Sequence, residues 1–162
     1  MKLELTPINI EENNAKEIYA SEDCQNLINM WKEYYPKIGF HLPWVGCFIK
    51  DADQIVGSCA FTGKPVNNKV EISYWTFKKN EGKGISSWAC KELISVTYGK
   101  DPNVVIIAKT APDNNASTRI LKKNGFVFSS VVQDDEIGDA WEWTLPNKNK
   151  KAKLISLAFL FE

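Results

Sequence analysis

Residues 78–93 read KKNEGKGISSWACKEL, and the fold turns on how this stretch is parsed. Its opening is polar and holds two glycines, Gly82 and Gly84. Its remainder, with Ile85, Trp88, Ala89, Leu93 and then Val96, has the spacing of a helix that buries one face and ends at Gly99. The preceding VEISYWTF, residues 70–77, alternates in the manner of a strand. A glycine-containing turn therefore feeds a strand directly into a helix. Such a junction offers unpaired backbone N–H groups at the positive end of the helix dipole, and glycine lets a phosphate come close to the chain. A glycine pair at a strand end also fits an ordinary turn. The P-loop pattern GxxxxGK[ST] is absent, and GKG lacks the third glycine of GxGxxG.

Before this junction, LELTPI reads as a short strand, and residues 11–35 read as one or two amphipathic helices broken near Ser21 and ended by Pro36 and Gly39. WVGCFIK and QIVGSCAF, separated by DAD, form a hairpin pattern, and VEISYWTF completes a meander. After it, VVIIAKT is a continuous apolar run that predicts a strand covered on both faces. DNNASTRILKKNG predicts a short helix with Asp113 or Asn114 as N-cap and Gly125 just past its end. FVFSSVVQ and AWEWTL around DDEIGD predict a last hairpin, and no internal repeat is visible.

The 162 residues, 44% hydrophobic, suit one compact domain over residues 1–146. Lysine plus arginine and aspartate plus glutamate are balanced at 20 each, so no overall field favours nucleic acid or an anionic membrane. Cys24, Cys47, Cys59 and Cys90 lie in separate segments with no CxxC and no Cys/His pair, which predicts reduced, packed thiols and no metal site. The N-terminus has no apolar run of signal-peptide length and no segment is long enough to span a bilayer, so a cytoplasmic location is expected. The basic run NKNKKAK and the apolar LISLAFLFE form a tail, residues 147–162, that packs on the domain, joins a partner's sheet or is foreign to the native chain. If exposed, it favours association, as in a homodimer.

Two motifs at the right separation resemble the GNAT superfamily of acetyl-CoA-dependent N-acetyltransferases, within it the branch that acetylates ribosomal-protein N-termini. Its pyrophosphate loop, [QR]-x-x-G-x-[GA], is matched by KNEGKG from Lys79 to Gly84, with lysine in the first position. The later pattern N-x-x-S-x-x-x-L-x-K-x-G-F is matched at Asn114, Ser117, Leu121, Lys123, Gly125 and Phe126. The resemblance implies an α+β (mixed α/β) fold with a central mixed sheet of about six to seven strands flanked by helices. It implies acetyl-CoA as cosubstrate, no metal, and as acceptor an amine on a small molecule or a peptide N-terminus. It places the CoA pyrophosphate on Gly82, Lys83, Gly84 and Ile85, with Lys79 beside them. Backbone amides near Tyr74 to Phe77, thus of Trp75, Thr76 and Phe77 as well, would meet the pantetheine arm and the thioester carbonyl. Asn114 would hydrogen-bond that arm or serve only as an N-cap. Lys123, with Lys78, Lys83 and Lys122, is left to meet the 3′-phosphate or to be solvated surface, since Arg119 is the only arginine.

Transfer to an amine requires a neutral nucleophile and a protonated leaving thiolate. An α-amine titrates near 7.7–8, so its deprotonation is a modest task for a carboxylate. Glu71, on the face opposite Val70, Ile72 and Tyr74, is the candidate base, or else a plain strand glutamate. The tyrosine that many GNAT enzymes use as proton donor falls on Leu121; in the ribosomal branch a serine one turn earlier is the donor, and Ser117 matches it, or is a helix-surface serine. The absent tyrosine keeps open an acyl-CoA-binding module without catalysis, and a coincidental glycine loop would leave an interaction protein. His41 and the aromatics Trp31, Tyr34, Tyr35, Phe40 and Trp44 are expected to be mostly structural, with a cleft wall as the other reading.

Overall fold

The structure, a computed structural model, describes residues 1–13 and 16–147. The tail expected at 147–162 therefore lies, beyond Asn147, outside the described residues. The element order is β1 (Leu3–Pro7), α1 (Ile10–Asn13), α2 (Glu22–Ile38), β2 (Gly46–Asp51), β3 (Gln54–Phe61), β4 (Lys69–Thr76), α3 (Ile85–Lys100), β5 (Val105–Thr110), α4 (Ala116–Lys123), β6 (Val127–Asp134) and β7 (Gly138–Leu145). Among the described residues the seven strands form one sheet in the order β1-β2-β3-β4-β5-β7-β6. All neighbours are antiparallel except the central pair β4 and β5, as the α3 crossover between them requires. This is the mixed sheet with flanking helices that the resemblance implies.

Several ends differ from the sequence reading for local reasons. Ser21 caps α2 by accepting from the Cys24 N–H at 3.2 Å, which explains the break expected there. Pro36 does not end α2; it sits in the last turn, and Gly39 closes the helix through its N–H to Tyr35 at 2.7 Å. Gly99 likewise stays inside α3, which stops at Asp101. The N-cap of α4 is Asn115, in place of Asp113 or Asn114: its carboxamide accepts from Thr118 N–H while Thr118 Oγ1 accepts from Asn115 N–H, each at 3.0 Å. Gly125 follows the helix at φ +90°, as expected.

The core fills both faces of the sheet. Strand alternation sets Phe48, Ser58, Ala60 and Trp75 toward α2, and Cys47, Cys59, Ile72 and Tyr74 toward α3. Trp31 of α2 lies flat enough on Gly46 that a Cβ there would stand 2.3 Å from its ring, so that glycine exists for helix–sheet contact. Trp31, Tyr35 and Trp44 are buried, and Tyr34 is half-buried with its hydroxyl donating to the Thr62 carbonyl. The aromatic region is therefore mainly core, while Phe40 and His41 are exposed. The four cysteines are free and buried, and burial pushes the thiols of Cys47 and Cys90 up to about 12, which leaves them protonated.

Candidate active site

β4 pairs with β5 only over Lys69–Glu71, opposite Val105–Ile107. Beyond Glu71 the two strands part, although β4 stays paired with β3 through Thr76. Peptide groups along a strand alternate between its two edges, and the Phe77 N–H is already bonded to the Val56 carbonyl of β3 at 2.9 Å. The N–H groups of Thr76 and Tyr74 consequently face the opening. Phe77 itself, expected in the site, is 2% exposed and has its amide occupied, so it braces the strand end.

The opening continues into a cavity of about 580 Å³. Its wall includes Trp75 and Thr76 from β4, Gly82 and Gly84 from the loop, Ile85 from the start of α3, and Ser117, Arg119 and Lys123 from α4. Gly82 and Gly84 have φ of +79° and +77°, and a Cβ on either would meet nothing within 4 Å. Glycine is thus required there by backbone conformation and leaves free space above the chain. Gly84 is the N-cap of α3 and carries no side-chain cap, so the first amides of a 16-residue helix end in that space. Open room over glycines, uncapped helix amides and an unpaired strand edge fit a ligand with a pyrophosphate and an amide-containing arm.

Two hydroxyl contacts hold the walls in place. Tyr74 donates to the Ser117 carbonyl at 3.1 Å, tying β4 to the first turn of α4, and Thr76 and Ser86 share a hydrogen bond of 2.6 Å at the start of α3. Burial pushes the Tyr74 phenol above its ordinary value, so it remains a donor. Leu121, at the position where the resemblance would place a tyrosine, is fully buried in the core.

Of the residues singled out from the sequence, the fold brings Trp75, Thr76, Gly82, Gly84, Ile85, Ser117 and Lys123 to this cavity. It takes others elsewhere. Lys79 lines a separate hollow with Glu17, Asp23 and Asp53, because the turn at Lys78–Asn80 directs it back toward α2. Lys83 is exposed and absent from the cavity wall. Asn114 is also outside it, its carboxamide oxygen accepting from Thr118 Oγ1 at 3.3 Å. Arg119, set aside in favour of lysines, does reach the wall. The signal for it was present: Ala116, Arg119, Ile120 and Lys123 make one helical stripe.

Glu71 lies on the other, α2-facing side of β4. Its carboxylate meets Lys109 of β5 at 3.0 Å, and Lys109 also approaches Asp134 at 3.8 Å. Burial works against charge on Lys109, but the hydrogen bond and charge of Glu71, with the charges of Asp134 and Glu142, more than offset it and hold its pKa above the ordinary lysine value. Asp134 is held below the usual carboxylate range, first by the N–H groups of Glu136 and Ile137 and then by Lys109. No sequence signal paired Glu71 with Lys109, which are 38 positions apart and meet only through the parallel strands.

Comparison with known proteins decides the family. The acetyltransferase (GNAT) domain model matches residues 7–127. The chain belongs to the GNAT acetyltransferase family. The chain is 28% identical over 92 residues to the ribosomal-protein-serine acetyltransferase of Escherichia coli (strain K12), covering 56% of this chain and 51% of that one. It spans about half the length of the first curated relatives it matches. Among solved structures, the microcin C7 self-immunity acetyltransferase MccE, in complex with acetyl-CoA and AMP, is 25% identical with a TM-score of 0.58, covering 75% of this chain and 69% of that one. A chimera of the Vibrio cholerae spermidine N-acetyltransferase SpeG shares the fold at a TM-score of 0.67 and 15% identity, covering 92% and 98%. As a GNAT chain, this one places the family's loop and later helix on either side of a single cavity. Among the described residues no group of His, Cys, Asp and Glu is placed to hold a metal, and no helix is long and apolar enough to cross a membrane.

Proposed function

We propose that residues 1–146 form one acetyltransferase domain that moves the acetyl group of acetyl-CoA directly to a primary amine, on a small molecule or a peptide N-terminus. The observation that carries this reading is the parting of β4 from β5 after Glu71, in line with the uncapped start of α3. Acetyl-CoA supplies the activated acyl group. The free amides above Gly82 and Gly84 hold the pyrophosphate, and Arg119 and Lys123 add positive charge along α4. The N–H groups of Tyr74 and Thr76 face the place where negative charge develops on the thioester oxygen, which lowers the barrier without reorganisation.

Glu71 stands on the opposite face of the same strand, where it takes a proton from the incoming amine directly or through a water. Lys109 orients its carboxylate and balances its charge. Ser117, with Tyr74 against its backbone, provides a hydroxyl to the leaving thiolate. The buried Leu121 favours a second reading, an acyl-CoA-binding module without catalysis. Amine-dependent thiol release from acetyl-CoA, with CoA affinity measured by calorimetry, separates them. Release with an amine supports the transferase; tight CoA binding with no release from any acceptor class supports the module; absence of CoA binding removes both.

A further inference from the structure

β4 is the central strand of the sheet, yet its α2-facing side is open: Ser73 is exposed and Trp75 is 45% exposed. Here α2 crosses at a distance and leaves a hollow of about 320 Å³ lined by Asn26, Leu27 and Met30 of α2 and by Ser58, Ser73, Tyr74 and Trp75 of the sheet. Tyr74 and Trp75 also wall the larger cavity, so the two spaces adjoin across β4. None of the lining side chains is an acid, lysine, arginine or histidine. Met30, on the α2 side of the hollow, is 50% exposed. Ser58 is 8% exposed and lines the hollow.

We propose that this hollow is the acceptor subsite, and that it receives an uncharged, apolar substituent on the carbon next to the acceptor amine. The inference rests on the acetyltransferase reading and names the class of amine. Glu71 lies further along the same strand face, so an amine placed between it and the opening has its neighbouring group directed toward Ser73, Trp75 and Met30. Leu27, Met30 and the Trp75 indole supply the apolar surface, and the Ser58 hydroxyl and Asn26 amide supply neutral hydrogen bonds for an adjoining amide. A polyamine's second ammonium finds no counter-charge in the hollow. The same chemistry is carried by a peptide with an apolar first residue and by a small branched or aryl amine.

The test compares a leucyl tripeptide, a glycyl tripeptide, phenylethylamine and spermidine, by thiol release and by calorimetric titration of CoA-saturated protein. The leucyl peptide and phenylethylamine should exceed the glycyl peptide and spermidine about tenfold or more in kcat/KM, as apolar pockets discriminate by roughly that factor. A preference confined to one of these two assigns the source as peptide or small amine. Met30→Glu should cut the leucyl preference about tenfold and improve spermidine, Met30→Leu should retain the wild-type order, and both should bind CoA as wild type does. Equal turnover of all four amines, or a preference unmoved by Met30→Glu, would overturn the subsite while leaving the transferase intact. Selective binding of the leucyl peptide without any thiol release would keep the subsite and overturn the transferase.

Discussion

The two faces of β4 are built from different material. Toward α3 and α4, the site consists of backbone: two glycines at positive φ, an uncapped helix start and the unpaired edge of a strand. Toward α2, it consists of side chains contributed by distant segments, with Glu71, Lys109 and Asp134 in contact and Met30 facing Trp75 across a hollow. On the proposed function, a backbone site would recognise a group common to every CoA ester and tolerate change in the residues around it, so the placing of Lys79 outside the cavity would cost it little. A side-chain site selects, and single substitutions should move it.

The sharpest way to break this contrast is on the catalytic side. Glu71→Gln should lower turnover on the order of 10²-fold, most at acidic pH and less where the amine is already neutral, with CoA affinity unchanged. A rate profile from about pH 6 to 9.5, bracketing the reference amine pKa, measures it. Wild-type rates at the acidic end would reduce Glu71 to a strand residue partnered by Lys109.

On the backbone side, Gly84→Val should weaken CoA binding about tenfold or more, roughly 1.4 kcal/mol, and Gly82→Val similarly. Both side chains would enter open space but at a positive φ that valine resists, so the strain falls on the loop; calorimetry beside a melting curve separates lost affinity from lost structure. Unchanged affinity in both folded variants would remove the loop from the site.

Ser117→Ala should have a smaller effect, about threefold to tenfold on turnover, and raising the pH through the amine pKa should not restore it, because the leaving thiolate is what it serves. The Tyr74 contact is to the Ser117 carbonyl and survives the change. Rescue at high pH would assign Ser117 to amine deprotonation.

The least effect belongs to stability. Lys109→Met should cost about 1 kcal/mol or less at neutral pH, for a pair about a quarter exposed. The sign follows from the shifts. Lys109 has a raised pKa, so its contribution is full below the unfolded lysine value, about 10.4, and is lost as pH rises through the folded value. Asp134 has a depressed pKa, so its share is present above the unfolded aspartate value, about 3.9, and is lost as pH falls through the folded value. Urea melts at neutral and strongly alkaline pH should show the penalty shrinking in base.

The sequence determined the strands, the α3 crossover and the glycine junction, because each is written in local periodicity and backbone permissiveness that neighbours in the chain settle. Asn115 took the cap predicted one or two residues earlier because Thr118 could answer it reciprocally, a choice made by geometry within one turn. The α4 stripe of Ala116, Arg119, Ile120 and Lys123 was legible as well, but tertiary structure alone decided that Lys79 and Lys83 stay off the cavity wall, that Glu71 finds Lys109, and that Trp75 of a central strand stays open beside Met30. These are relations between segments brought side by side by the parallel pairing of β4 with β5 and by the height at which α2 crosses the sheet. Long charged side chains and inter-element gaps carry no local pattern, so only the packed chain could place them.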